Sequence, residues 1–268
     1  MDVSRTITTG SLGSVESTLL AKVGHLATFS ISDARHALEP HQRVFASQVL
    51  ERLRQKGWVA RVARGRFAVI PLSSGATGSA QLHEFVVAME LVKPAAIAYF
   101  SALSHHGLTE QLPRTVVVAT NHPVRRRQRE SLGFTFRIVS LRPYKYFGIQ
   151  KAWVGDHAFS VTNLEKTIID ALDLPDHAGG LGLVATALRS HWDRLDETRL
   201  RDYASRIGNS AAAKRLGFLM ETLGLGDAEE LRKAVTFGTG FPRLDPALPV
   251  RGIHNRRWGL LLNMQVVP

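Results

Sequence analysis

Glu39-Pro40 splits two helical stretches, and the chain beyond them turns at once into a basic hairpin. Proline fixes its own backbone angle and biases the residue before it away from helix. Ahead of the break, Ser30 and Ser32 offer caps for a short helix over residues 33–38. Beyond it, a longer helix is expected from His41 to about Lys56, ended by Gly57 as a glycine past the last turn commonly does. At about 100° per residue, Ala46, Val49, Leu50 and Leu53 share one stripe, as wide as a core-facing stripe needs to be. Ser47 and Gln48 point away from it. Trp58 to Ile70 reads as a hairpin with its tip at Ala63-Arg64-Gly65, followed by Pro71. Two helices and a hairpin in this order make a winged helix-turn-helix, a module that holds one helix in a DNA groove.

Gln42, Arg43, Val44 and Phe45 form the first turn of the longer helix, the part that reaches base edges in such docking. Arginine suits guanine O6 and N7, and glutamine suits adenine N6 and N7, each through two bonds. Gln42, Arg43, Ser47 and Gln48 are therefore the candidate base readers. Arg61, Arg64 and Arg66 are the candidate wing contacts to phosphate or a minor groove. The plainer alternative is an ordinary helical pair with a solvated polar face.

Charge placement favours the first reading. The chain carries a formal +11, with 10 Lys/Arg against 5 Asp/Glu in residues 1–80, 9 against 4 in residues 81–150, and 15 against 14 thereafter. An excess concentrated in the first 150 residues suits a polyanionic partner, whereas general solubility requires no such concentration. Arg125, Arg126, Arg127 and Arg129 form the densest cluster. They are expected on a loop between two strands and are a possible second polyanion contact, or else merely solvated. Asn255-Arg256-Arg257-Trp258 is a weaker second cluster, with Trp258 assigned to the core. Nucleic acid fits better than membrane, because no basic amphipathic helix with an aromatic face occurs. No apolar run approaches the roughly 18 residues a span requires, and no secretion signal is expected. Cysteine is absent, so disulfides and thiolate metal sites are excluded, which fits a cytoplasmic location.

A 268-residue chain suggests one large or two ordinary domains. The small-residue run 73–79 is read as a linker. It separates a winged helix-turn-helix domain (1–72) from a second domain (80–268). The first residues, 1–13, are expected to be frayed, with a first helix over 14–23. The second domain is expected to open with helices at 82–91 and 99–105. Strands follow at 115–120 and 134–141, then a hairpin across Gly155-Asp156. Helices at 163–172, 181–192, 197–207, 211–223 and 228–235 come next, with a possible strand at 258–266. The fold class is thus α+β: a winged helix-turn-helix, then a mixed α/β domain with a small sheet and a helical second half.

Positive evidence of catalysis is lacking, and neither an enzymatic activity nor a cofactor or metal is expected. Thr162-Asn163-Leu164-Glu165 is read as a capping box, with Thr162 the cap and Glu165 reaching back. Asp170 is a candidate to meet a partner within the core. His105-His106 stand about 100° apart on a helix and cannot chelate one metal well; a partly positive imidazole at a helix C-terminus is the simpler role. Gly179-Gly180 with Gly182 lacks the Lys and Ser/Thr of a phosphate cradle.

Several motifs in order resemble the AbiEi antitoxin family. They are Gly57-Trp58, Arg64-Gly65-Arg66-Phe67 and Pro71; Ser101-Ala102-Leu103 with His106-Gly107-Leu108; and Glu165-Lys166 with Ile169-Asp170 and Gly179-Gly180. Arg215-Leu216-Gly217-Phe218-Leu219 follows, and then Leu244-Asp245-Pro246 with Arg257-Trp258 and Asn263. Together they span residue 29 to the end. The chain departs at Phe67, where many members carry Tyr. The resemblance implies an antitoxin of a type IV toxin–antitoxin pair, encoded beside a nucleotidyltransferase-like toxin and linked to abortive phage infection. It implies repression of its own operon through the winged helix at inverted repeats of double-stranded DNA. It also implies a C-terminal domain that counters the toxin without a stable complex. One alternative is a repressor whose second domain is a sensor or dimerisation module. Another is a nucleic-acid enzyme using Glu165, Asp170 or a histidine.

Overall fold

The computed structural model describes residues 11–70 and 82–266. The fold is mixed α+β, and the chain divides into two compact units. The first comprises the chain up to Lys93 with Arg129–Thr135 and Trp153–Ala158, and the second comprises the remainder. The expected linker at 73–79 and the expected frayed residues 1–10 lie outside the described residues, as does Pro71.

In the first unit, α1 (Ser14–Val23) is followed by β1 (Phe29–Ser30), α2 (Ile31–Ala37), α3 (Ala46–Gln55), β2 (Val59–Ala63), β3 (Arg66–Val69) and α4 (Glu84–Leu91). Strands β1, β3 and β2 form an antiparallel sheet in that order, with Phe29 opposite Phe67 and Val59 opposite Val69. Leu19, Phe29, Ala34, Leu38, Ala46, Val49, Leu50 and Leu53 make its core, each no more than 2 % exposed. The apolar stripe of the longer helix therefore lies where its periodicity placed it.

Two local features differ from the sequence reading. Of the two serines offered as caps, Ser30 is the one α2 uses: its Oγ accepts from the Asp33 amide at 3.1 Å, and the Asp33 carboxylate accepts from the Ser30 amide at 2.7 Å. The helix consequently starts at Ile31. The second is that the longer helix is not α throughout. Pro40–Phe45 is a 3₁₀ turn, and the α-helix starts only at Ala46. Pro40 supplies the first-turn angle of that 3₁₀ segment but cannot donate. The hairpin tip is as read: Ala63 ends β2, and Gly65 takes φ +72°, which glycine adopts at little cost.

The remaining elements are β4 (Ala96–Ile97), α5 (Tyr99–His105), β5 (Thr115–Thr120), β6 (Gln128–Ser131), β7 (Phe134–Ser140), β8 (Ile149–Val154) and β9 (His157–Thr162). Then come α6 (Leu164–Asp173), α7 (Leu181–His191), α8 (Glu197–Arg206), α9 (Ser210–Leu223), α10 (Ala228–Ala234), β10 (Ile253–Asn255) and β11 (Leu260–Leu262). A six-stranded sheet runs β6-β7-β5-β4-β9-β8. Strand β4 is antiparallel to β5 and parallel to β9. Within the second unit α6 is central, with every residue from Glu165 to Asp173 buried. Trp258 is 1 % exposed, as a core assignment requires.

Candidate nucleic-acid interface

In the first unit the segment 40–48 has two faces. Ala46 is fully buried, which fixes the start of α3 in the core. No residue of the 3₁₀ turn is buried, and Arg43, Val44, Phe45, Ser47 and Gln48 are exposed while Gln42 is half-buried. Val44 is 78 % and Phe45 50 % exposed. Arg43 Nε donates to the Leu38 carbonyl at 3.3 Å, so the last turn of α2 orients its guanidinium and leaves the outer nitrogens unused. An arginine held this way loses less side-chain freedom when both outer nitrogens engage a base.

The three hairpin arginines separate in role. Arg61 and Arg64 are exposed. Arg66 instead reaches Glu90 of α4 at 2.8 Å and Thr28 Oγ1 at 2.8 Å, with Asp33 3.9 Å away. Burial pushes the Glu90 carboxyl up, but the hydrogen bonds from Arg66 and Thr28 outweigh this and hold it below its ordinary range. Arg66 is thus a tie inside the unit. Its sequence neighbours hid this, because Glu90 lies 24 residues away along the chain.

Arg125, Arg126 and Arg127 are exposed on the loop before β6. Arg129 does not belong to that loop. It lies within β6, half-buried, and donates to the Leu91 carbonyl.

The residues tested for chemistry sit in the second unit. Thr162 is not the cap of α6; Asn163 is, its Oδ1 accepting from the Lys166 amide at 2.9 Å. Glu165 does not reach back. Its carboxylate accepts from the Asp196 amide at 3.0 Å and from Arg199 at 3.2 Å. Lys166 and Asp170 form an ion pair, each side chain 1 % exposed. Burial raises Asp170 to about 6 against the pull of Lys166. The Lys166 ammonium also lies 4.7 Å from the Phe147 ring centre. His106 Nε2 lies 2.6 Å from the Thr162 carbonyl, and burial lowers its pKa, so it is not the partly positive imidazole expected at the end of α5. The amide of Leu181, at the start of α7 after Gly179-Gly180, faces Asp245 Oδ2 at 3.4 Å. A carboxylate thus stands where a phosphate would have to sit. Among the described residues, no three His, Asp or Glu side chains converge as a metal site requires.

No protein-family model matches the chain. No curated protein matches it either. Among solved structures it is similar to the crystal structure of RV2827C protein from Mycobacterium tuberculosis. The identity is 14 %, the TM-score 0.67, and the alignment covers 97 % of this chain and 95 % of that one. This is a likeness of fold.

Val44 and Phe45, read as part of the first turn but not named among the base readers, are both exposed.

Proposed function

We propose that the protein is a DNA-binding transcriptional repressor and the antitoxin of a type IV toxin–antitoxin pair. Its first unit acts as a winged helix and its second counters a nucleotidyltransferase-like toxin. One observation carries the DNA-binding half. The core grips α3 by Ala46, Val49, Leu50 and Leu53, while Arg43, Ser47 and Gln48 at its leading end face solvent. A helix held by one stripe and free at its N-terminal end can enter a major groove. The hairpin β2–β3 adds Arg61 and Arg64, both exposed, which suits them to phosphate contacts. The antitoxin half rests on the order of the motifs that resemble AbiEi.

The test of the first half is binding to the duplex upstream of the protein's own reading frame at several salt concentrations. Affinity is expected to fall steeply with salt, because each phosphate contact releases counterions. Arg64→Ala is expected to weaken all duplexes alike and reduce the salt slope by about 1. Arg43→Ala is expected to cost about 1–3 kcal/mol and to relax sequence preference. An unchanged footprint and affinity for Arg43→Ala excludes the assignment of the reading face.

The second half is tested by co-expression with the adjacent reading frame. Growth arrest by that neighbour, relieved by the full chain, is the expected result. A neighbour that is harmless by itself favours a second unit that senses or dimerises.

A further inference from the structure

The apolar pair at the leading end of α3 lies outside the core cluster of the first unit. Val44 and Phe45 are absent from the core of the first unit, and the Phe45 ring meets no other ring among the described residues. Two large apolar side chains, 78 % and 50 % exposed and adjacent, lose free energy to water unless something covers them. Their setting selects the partner. His41, Arg43, Ser47 and Gln48 surround them in sequence, and all are exposed. The carboxylates bracketing the segment are Glu39 and Glu51, and Arg54 engages Glu51 at 2.6 Å. An apolar spot among hydrogen-bond donors and cations matches a major groove, where the thymine C5-methyl is the apolar group on offer.

We propose that Val44 and Phe45 read thymine methyl groups, so that the duplex this protein recognises carries thymines beside the bases contacted by Arg43, Ser47 or Gln48. The proposal rests on the DNA-binding reading above. It deepens that reading from double-stranded DNA to thymine-bearing sites told from their demethylated counterparts. Polar side chains supply the guanine and adenine contacts, and the apolar pair supplies contacts that hydrogen bonds cannot make. Arg43, fixed on the Leu38 carbonyl, sets the register between the two kinds of contact.

The experiment selects duplexes from a randomised double-stranded pool with the full chain. It then remakes the selected sequence with deoxyuridine at each thymine of the motif. Deoxyuridine keeps every hydrogen-bonding group and removes only the methyl. Each methyl that meets Val44 or Phe45 is expected to contribute about fourfold in affinity, the value of burying one CH₂-sized group. The variant Val44→Ser with Phe45→Ser is expected to bind thymine and uracil duplexes equally, at the affinity of the natural chain for the uracil form. Both residues are exposed, so the fold is not at risk, and an unchanged thermal midpoint checks this.

Equal binding of thymine and uracil duplexes by the natural chain overturns the proposal while leaving DNA recognition intact. Selection that enriches no sequence removes the repressor reading and the proposal together. If the double variant changes only the mass in sedimentation, with thymine–uracil discrimination retained, the pair is a contact between copies and the proposal fails.

Discussion

Asp170→Ala is expected to destabilise the second unit by about 3–5 kcal/mol, the cost of leaving one partner of a buried ion pair alone. Lys166 and Asp170 stand one helical turn apart on α6, and both are 1 % exposed. Removing the carboxylate strands the ammonium among buried side chains, with the Phe147 ring centre 4.7 Å away. A cation over an aromatic face gains about 0.5–2 kcal/mol, which falls short of the lost pairing. The pair itself is not a source of large net stability, because desolvation consumes most of the attraction. Lys166→Met combined with Asp170→Leu is therefore expected to recover most of what either single change loses. Chemical denaturation of the natural chain, both single variants and the pair gives the coupling directly. A loss under about 1 kcal/mol for Asp170→Ala contradicts the dry, paired state of the two groups.

Gly217→Ala carries the second large effect. Gly217 lies inside α9, where alanine would ordinarily gain about 1 kcal/mol over glycine. Here a Cβ would stand 2.0 Å from Trp258 Cζ3 and 2.2 Å from Cη2. The indole has little freedom to withdraw. It is 1 % exposed, its Nε1 donates to Glu221, and Phe237 meets it edge-on at 5.7 Å. Overpacking of this kind typically costs about 1–3 kcal/mol and occasionally more. With so close an approach the steric cost falls at the upper end and outweighs the helix propensity, leaving a net loss of up to about 2 kcal/mol. Thermal melts of the variant measure it. Trp258→Leu, which removes the ring atoms in the way, is expected to make Gly217→Ala much cheaper in the double variant than alone. A Gly217→Ala chain more stable than the natural one shows that the helix and indole do not meet this closely.

The elements that could be read in advance share one property: their signal is local. Ala46, Val49, Leu50 and Leu53 repeat at helical spacing, Gly65 marks a tight turn, and Thr115–Thr120 is a compact β-branched run. Each depends on backbone geometry within about one element. The errors were of two kinds. Caps were the first: Thr162 was taken for Asn163, and Ser30 and Ser32 could not be told apart, because neighbouring polar residues have similar propensity and the tertiary setting chooses between them. The continuity of the longer helix was overstated, because residues after Pro40 can close either α or 3₁₀ turns.

The candidate interface divides along the same line. Arg43, Ser47 and Gln48 could be proposed because they sit off a periodic apolar stripe. Arg66 could not be excluded that way, since Glu90 and Thr28 are distant in sequence and only folding brings them to it. By itself the amino-acid order determined where helices break, which stripe is apolar and where positive charge accumulates. Each of these follows from backbone stereochemistry and composition along a short stretch. Only the tertiary structure decided which arginines stay free, that Val44 and Phe45 face water, and that Lys166 and Asp170 are sealed in the dark. Burial and pairing depend on segments far apart in the chain, and periodicity carries no record of what a face meets.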